Sequence, residues 1–223
     1  FITGKPLEEH GVDDWWTYGR VLDWIRSKPP LTWIRGKRFF LVKIGIKPRL
    51  TMRKDWQRRG IETIFDLIKP SIALFIPAYN EPLRFHEELN EALKQGIGRF
   101  EETIWKLHER RVSEILKRIN DEWRLFMAWL DIADLMGHLH FIKRPHKLRE
   151  VYVELDGLIP KLKKKLSSDI CFLIVSDHGM KPSEDGVTGD HSEYGFWSSN
   201  VKLSSKPESI TDFFKIIKRC LAE

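Results

Sequence analysis

A chain of 223 residues with 42% hydrophobic and 31% charged side chains can bury one sizeable core, which excludes a disordered or collagen-like polymer. No run approaches the roughly eighteen apolar residues of a membrane span, and no signal peptide stands out, so a soluble, cytoplasmic protein is expected. The net charge of +6 raises nucleic-acid binding, but basic clusters such as Arg35–Arg38, Arg58-Arg59, Arg110-Arg111 and Lys161–Lys165 alternate with Asp and Glu and read as solvated faces.

In chain order, residues 1–12 read as a short helix or strand end closing on His10-Gly11. Positions 13–60 are rich in Trp, Arg, Pro and Gly; they hold an amphipathic piece, Val21–Ile25, and a strand candidate, Phe39–Ile44. Ile61–Ile68 suits a short helix, and Ile72–Ile76 a buried strand stopped by Pro77. From Leu83 to about Asn120, apolar residues at Phe100, Ile104, Leu107, Val112, Ile115 and Ile119 follow a period near 3.6 residues. Gly96 and Gly98 divide this stretch into two helices, with His86 and His108 expected to face solvent.

A strand at 125–131, a helix from Leu148 to Leu166 and a strand at 170–176 follow. A polar loop leads to Tyr194–Trp197 and an expected strand, Asn200–Leu203, before a closing helix, Ser209–Leu221. The alternation predicts an α/β sandwich with a mostly parallel sheet. The two cysteines, Cys171 and Cys220, lack CxxC spacing; Cys171 is expected to be an inert buried thiol in a reducing compartment.

The chemistry concentrates at two apolar strand ends, where open α/β sheets bind their ligands. Leu173-Ile-Val-Ser176 runs into Asp177-His178-Gly179-Met180, and Leu125–Asp131 runs into Asp134-Leu-Met-Gly-His138. Asp134 and His138 stand four apart, so one helical turn aims both at the same ion. Asp177 and His178 at a strand end can turn toward a metal together, and His191 in a downstream loop supplies a fifth donor. A lone Asp-His pair is usually a capped turn, but three such elements point to a dinuclear site. Nitrogen and oxygen donors without thiolate favour two zinc ions, with manganese or iron as alternatives. Two ions about 4 Å apart clamp a phosphoryl oxygen. His140 and His146 sit in an apolar run and a basic loop and read as background.

Asp134-xxx-His138, Ser176–Met180 and His191 resemble the metal-binding pattern of the alkaline phosphatase superfamily, most closely its type I phosphodiesterase/nucleotide pyrophosphatase branch. Phe1-Ile-Thr-Gly-Lys-Pro6 with His10-Gly11-Val12 is similar to the stretch that follows the nucleophile in that branch. The resemblance implies an alkaline phosphatase-like three-layer sandwich over residues 1–223 lacking its N-terminal strand, with insertions at about 13–60 and 84–120. It implies one metal on Asp134, His138 and His191, and Asp177 and His178 contributing to the other. The attacking Thr or Ser, and one further Asp, would lie upstream of Phe1, so no catalytic nucleophile is assigned, His10 is structural, and the segment alone is expected to be inactive. The implied substrate is a phosphorylated small molecule or nucleotide; oligomeric state is left open. Phosphoglycerate mutase-like and phosphopentomutase-like phosphotransferases share the pattern. A different class, a basic aromatic-rich nucleic-acid-binding module, would use the tryptophans of 13–60 for stacking.

Overall fold

The computed structural model describes residues 1–12, 15–19, 22–23, 47–203 and 205–221. The expected strand at 39–44 and most of the amphipathic piece at 21–25 lie outside the described residues.

The organising pair is β3 (Ser71–Leu74) with β4 (Leu125–Ala128), parallel and in register from Ser71 opposite Leu125 to Leu74 opposite Ala128. Parallel neighbours need a long crossover. It is supplied by two helices, α4 (Leu83–Lys94) and α5 (Ile97–Arg118), which match the period read from the sequence. Gly96 lies between them at φ +112°, a backbone geometry that disfavours any residue with a Cβ.

Alternate residues of β3 and β4 face opposite sides. Ile72 and Leu74, joined by Phe126 and Ala128, pack with Ile115 of α5 and with Leu162 of α7 (Pro145–Lys163). Leu125, Ala73 and Met127 join the larger core on the other side. That core holds Ile64 and Phe65 of α3 (Ile64–Leu67), Trp56 of α2 (Arg53–Arg58), and Phe213, Ile216 and Ile217 of α8 (Asp212–Cys220). Helices therefore cover both faces of the parallel pair. A third cluster joins Ile104 of α5 to Ile132 and Met136 of α6 (Ile132–His140) and to Leu148 and Val151 of α7. A short helix α1 (Leu7–His10) and the two-residue pair β1 (Trp16–Thr17) with β2 (Arg49–Leu50) complete the N-terminal part.

Three expectations change. The mostly parallel sheet is not seen: among the described residues only β3–β4 is parallel. β5 (Leu173–Ser176) pairs antiparallel with β8 (Phe196–Ser199), and β6 (Met180–Pro182) antiparallel with β7 (Gly189–His191). The tight turn at 183–188 closes the β6–β7 hairpin, and such a connection only permits antiparallel pairing. The last strand lies just before the expected 200–203. Asn200 ends the ladder because its side chain takes over the backbone groups of the opposite strand entry, accepting from Phe172 N at 2.7 Å and donating to Ile170 O at 2.9 Å. Finally, Cys171 precedes β5 instead of sitting within it, half-buried, with its Sγ 3.3 Å from Cys220 Sγ in the last turn of α8. Burial and the Cys220 contact push the Cys171 thiol up to about 12.

Candidate metal centre

Strand β4 delivers the chain to Asp131, and α6 begins at the next residue, with Leu135 N bonded to Asp131 O at 3.0 Å. One turn of that helix separates Asp134 from His138 and puts both on one face. The β6–β7 hairpin brings His191 to meet them. Its approach depends on Gly189, where a Cβ would stand 2.5 Å from Gly137 O and 2.8 Å from Met180 Cε. The hairpin turn is held by Asp185, whose carboxylate accepts from Val187 N and Thr188 N at 2.7 and 2.8 Å.

His191 Nε2 lies 3.1 Å from Asp134 Oδ1 and 3.0 Å from His138 Nε2, and His138 Nε2 lies 3.3 Å from Asp134 Oδ1. Tetrahedral ligands about 2.0–2.1 Å from a zinc ion stand about 3.3 Å from one another, so the triangle has the dimensions of one coordination face. His138 Nδ1 lies 2.8 Å from Gly189 O. A carbonyl only accepts, so Nδ1 carries a proton, which leaves Nε2 as the nitrogen that would present a lone pair to the centre. This is how metal-ligating histidines are oriented from behind.

His178 and Asp177 sit at the end of β5, beside this triangle. The His178 ring stacks on His191 with centroids 3.6 Å apart and planes 18° apart. Its Nδ1 lies 3.1 Å from Gly179 O, and its Nε2 lies 3.8 Å from both Asp134 Oδ1 and Asp177 Oδ1. Ser176 Oγ donates to His178 O at 2.6 Å and fixes the turn. Asp177 is exposed. The sequence-read donors therefore fall into a tight trio, Asp134, His138 and His191, whose ligand atoms lie within 4.8 Å of one another, and an adjoining pair, Asp177 and His178.

Other histidines depart from expectation. His108 is buried and His86 is largely so, where solvent exposure was expected. His86 Nε2 pairs with Glu81 Oε2 at 3.0 Å, and His140 is buried against Glu101 at 3.2 Å. His10 accepts the Val12 N–H at 3.1 Å and packs on Trp56, in keeping with a structural role.

The sequence reading missed a buried charge network behind the centre. Arg111, grouped above with solvated surface charges, is wholly buried. Its Nη2 donates to Glu81 Oε1 at 2.8 Å and to Asp131 Oδ2 at 2.9 Å. Burial pushes Glu81 up, but hydrogen bonds from His86 and Arg111 outweigh it and hold the carboxyl below its usual range. Asp131 ends above its usual range because burial, aided by the Glu81 charge, outweighs Arg111. A signal existed: Arg111 stands four residues after Leu107 and four before Ile115, on the apolar stripe of α5.

A model of the type I phosphodiesterase / nucleotide pyrophosphatase family matches residues 1–194. The chain belongs to that family. All five candidate donors of this phosphodiesterase-family chain lie inside the matched stretch, while α8 lies beyond it. No curated protein and no solved structure shows a significant match to the chain. The family acts on phosphorylated substrates and is typically metal-dependent, which agrees with the donor chemistry of the trio.

Proposed function

We propose that this chain carries the metal-holding residues of a hydrolytic centre for phosphoric diesters or nucleotide pyrophosphates. Asp134, His138 and His191 hold one divalent ion, and Asp177 and His178 contribute to a second. Zinc suits the N,N,O donors best. The carrying observation is the convergence of three ligand atoms within 4.8 Å. Bound divalent cations neutralise phosphoryl oxygens and lower the pKa of a hydroxyl at the site.

The chain's own residues set the stage for that chemistry. Gly189 O and Gly179 O hold Nδ1 protons on His138 and His178, keeping each Nε2 available. Stacking of His178 on His191 fixes the spacing between the two ligand groups. No residue of this chain is assigned as the attacking hydroxyl. In this reading β3–β4 and β5 belong to a three-layer α/β sandwich. The protein works in the cytoplasm; among the described residues no helix is long and apolar enough to cross a membrane.

The test is metal analysis of the complete protein together with hydrolysis of bis-p-nitrophenyl phosphate, p-nitrophenyl phosphate and a dinucleotide. Diester turnover should exceed monoester turnover, vanish with EDTA and return with zinc or manganese. His191→Ala and His178→Ala should each lower activity by at least about a hundredfold. Turnover indifferent to chelator and to both substitutions would sink the proposal.

A further inference from the structure

The α4–α5 hairpin contributes no metal donor, yet it sends one charged side chain to the base of the candidate centre. Arg111 Nη2 bonds Glu81, in the loop after β3, and Asp131, at the junction of β4 with α6; Nη1 reaches Trp129 O at 3.4 Å. The guanidinium lies over Phe75 at 5.1 Å and Phe85 at 4.8 Å, so the rings restrict where it can move. A single planar group thereby ties the carboxyl ends of both parallel strands to the α4–α5 hairpin that connects them. Asp131 is the residue from which the first turn of α6 is hung, and Asp134 sits in that turn.

Stability alone is a poor reason for this arrangement. Buried ion networks are often no more stabilising than apolar side chains of the same volume, because desolvation offsets the Coulomb gain. What the planar group supplies, with Nη2 on both carboxylates and Nη1 on Trp129 O, is a fixed arrangement of three contacts that a lysine ammonium does not reproduce. Glu81 is in turn bonded to His86, against whose ring Trp15 and Trp16 stand edge-on at 5.9 and 5.4 Å. The strut thus continues from the metal-bearing helix into the aromatic N-terminal segment.

We propose that Arg111 is a positioning residue of the metal centre: by fixing Asp131 it sets the first turn of α6, so that Asp134 and His138 face His191. The proposal rests on the metal-binding role argued above. Zinc affinity and the visible spectrum of the cobalt-substituted protein would be measured for the wild type, Arg111→Lys, and a triple variant, Arg111→Met with Glu81→Gln and Asp131→Asn, which leaves no unpaired buried charge. The triple variant should keep the wild-type circular dichroism and bind zinc at least about tenfold more weakly, with an altered cobalt spectrum. Arg111→Lys should fall between the two. A folded triple variant with unchanged affinity and spectrum would overturn the proposal. If the triple variant does not fold, Arg111→Lys decides alone, wild-type affinity and spectrum counting against the proposal. A wild-type protein that binds no zinc or cobalt would remove the metal role first, and this inference with it.

Discussion

His108 shows what a buried imidazole does to a protein when it is left to itself. Neither ring nitrogen has a hydrogen-bond partner among the described residues, and the nearest carboxylate oxygen, Glu154 Oε1, is 3.9 Å away. Burial lowers the imidazole pKa, more than the charges of Glu154 and Glu109 raise it. The unfolded chain, with an ordinary histidine titrating near about 6.5, takes up a proton where the folded chain resists it. His108 therefore costs nothing extra through charge above that pH, and stability drains away as pH falls through it toward the lower folded value. Replacing the ring with His108→Leu should raise stability at pH 8 by about 1 kcal/mol, since a buried unsatisfied polar group costs about 1–3 kcal/mol. It should also flatten the loss between pH 7 and pH 5. Urea titrations at several pH values check both, and an unchanged acid slope would show that His108 is protonated in the fold.

The helices at the N-terminal side owe their starts to acids in the third position. Asp55 of α2 accepts from Met52 N at 2.9 Å and forms a forked pair with Arg49 at 2.7 and 2.5 Å. The Arg49 bond, with the Met52 N–H behind it, holds the Asp55 carboxyl below its usual range. Asp66 of α3 accepts from Thr63 N and Thr63 Oγ1 at 3.0 and 2.7 Å; these bonds and Arg53 outweigh the burial that would raise it. A depressed carboxyl stabilises the fold above its unfolded pKa of about 3.9, and the gain is lost as pH falls through the lower folded value. Asp55→Asn, which breaks the forked pair, should cost about 1 kcal/mol at neutral pH and reduce the acid-induced loss below pH 4, read by thermal melts. The same loss at pH 3 as at pH 7 would assign Asp55 a packing role only. α3 falls within the helix read at Ile61–Ile68, whereas α2 escaped notice in the sequence because Arg53–Arg58 has no apolar period. By contrast α4 and α5 were legible from their stripe, although the stripe itself concealed Arg111.

Across the whole molecule, the candidate site was more legible than the sheet that supports it. Asp177-His178 and Asp134-xxx-His138 stand out because ligand chemistry is written in adjacent residues at the ends of apolar runs. That His191 meets Asp134 depends on Gly189 lying against Gly137, a contact between elements about fifty residues apart that no local pattern records. The same holds for strand direction, which is set by connections and partners: β5 reads as a buried strand yet pairs antiparallel with the exposed β8. Charge, too, divides by place. Arg110 answers Glu88 at the surface at 2.6 Å, while its neighbour Arg111 is enclosed.

The meeting of Cys171 with Cys220 has a consequence of its own. The thiols are 49 positions apart in sequence and join the entrance of β5 to the end of α8. Exchange with oxidised glutathione would join the two sulfurs, release two molecules of reduced glutathione and close a loop of that length, an entropic restriction of the unfolded chain of about 4 kcal/mol. Both thiols should then disappear together from a thiol titration of the monomer, and the melting temperature should rise; Cys220→Ser should abolish both effects. Crosslinked dimers, or an unchanged melting temperature, would count against the pairing. With it, the durability of the protein becomes a record of the redox history of its surroundings.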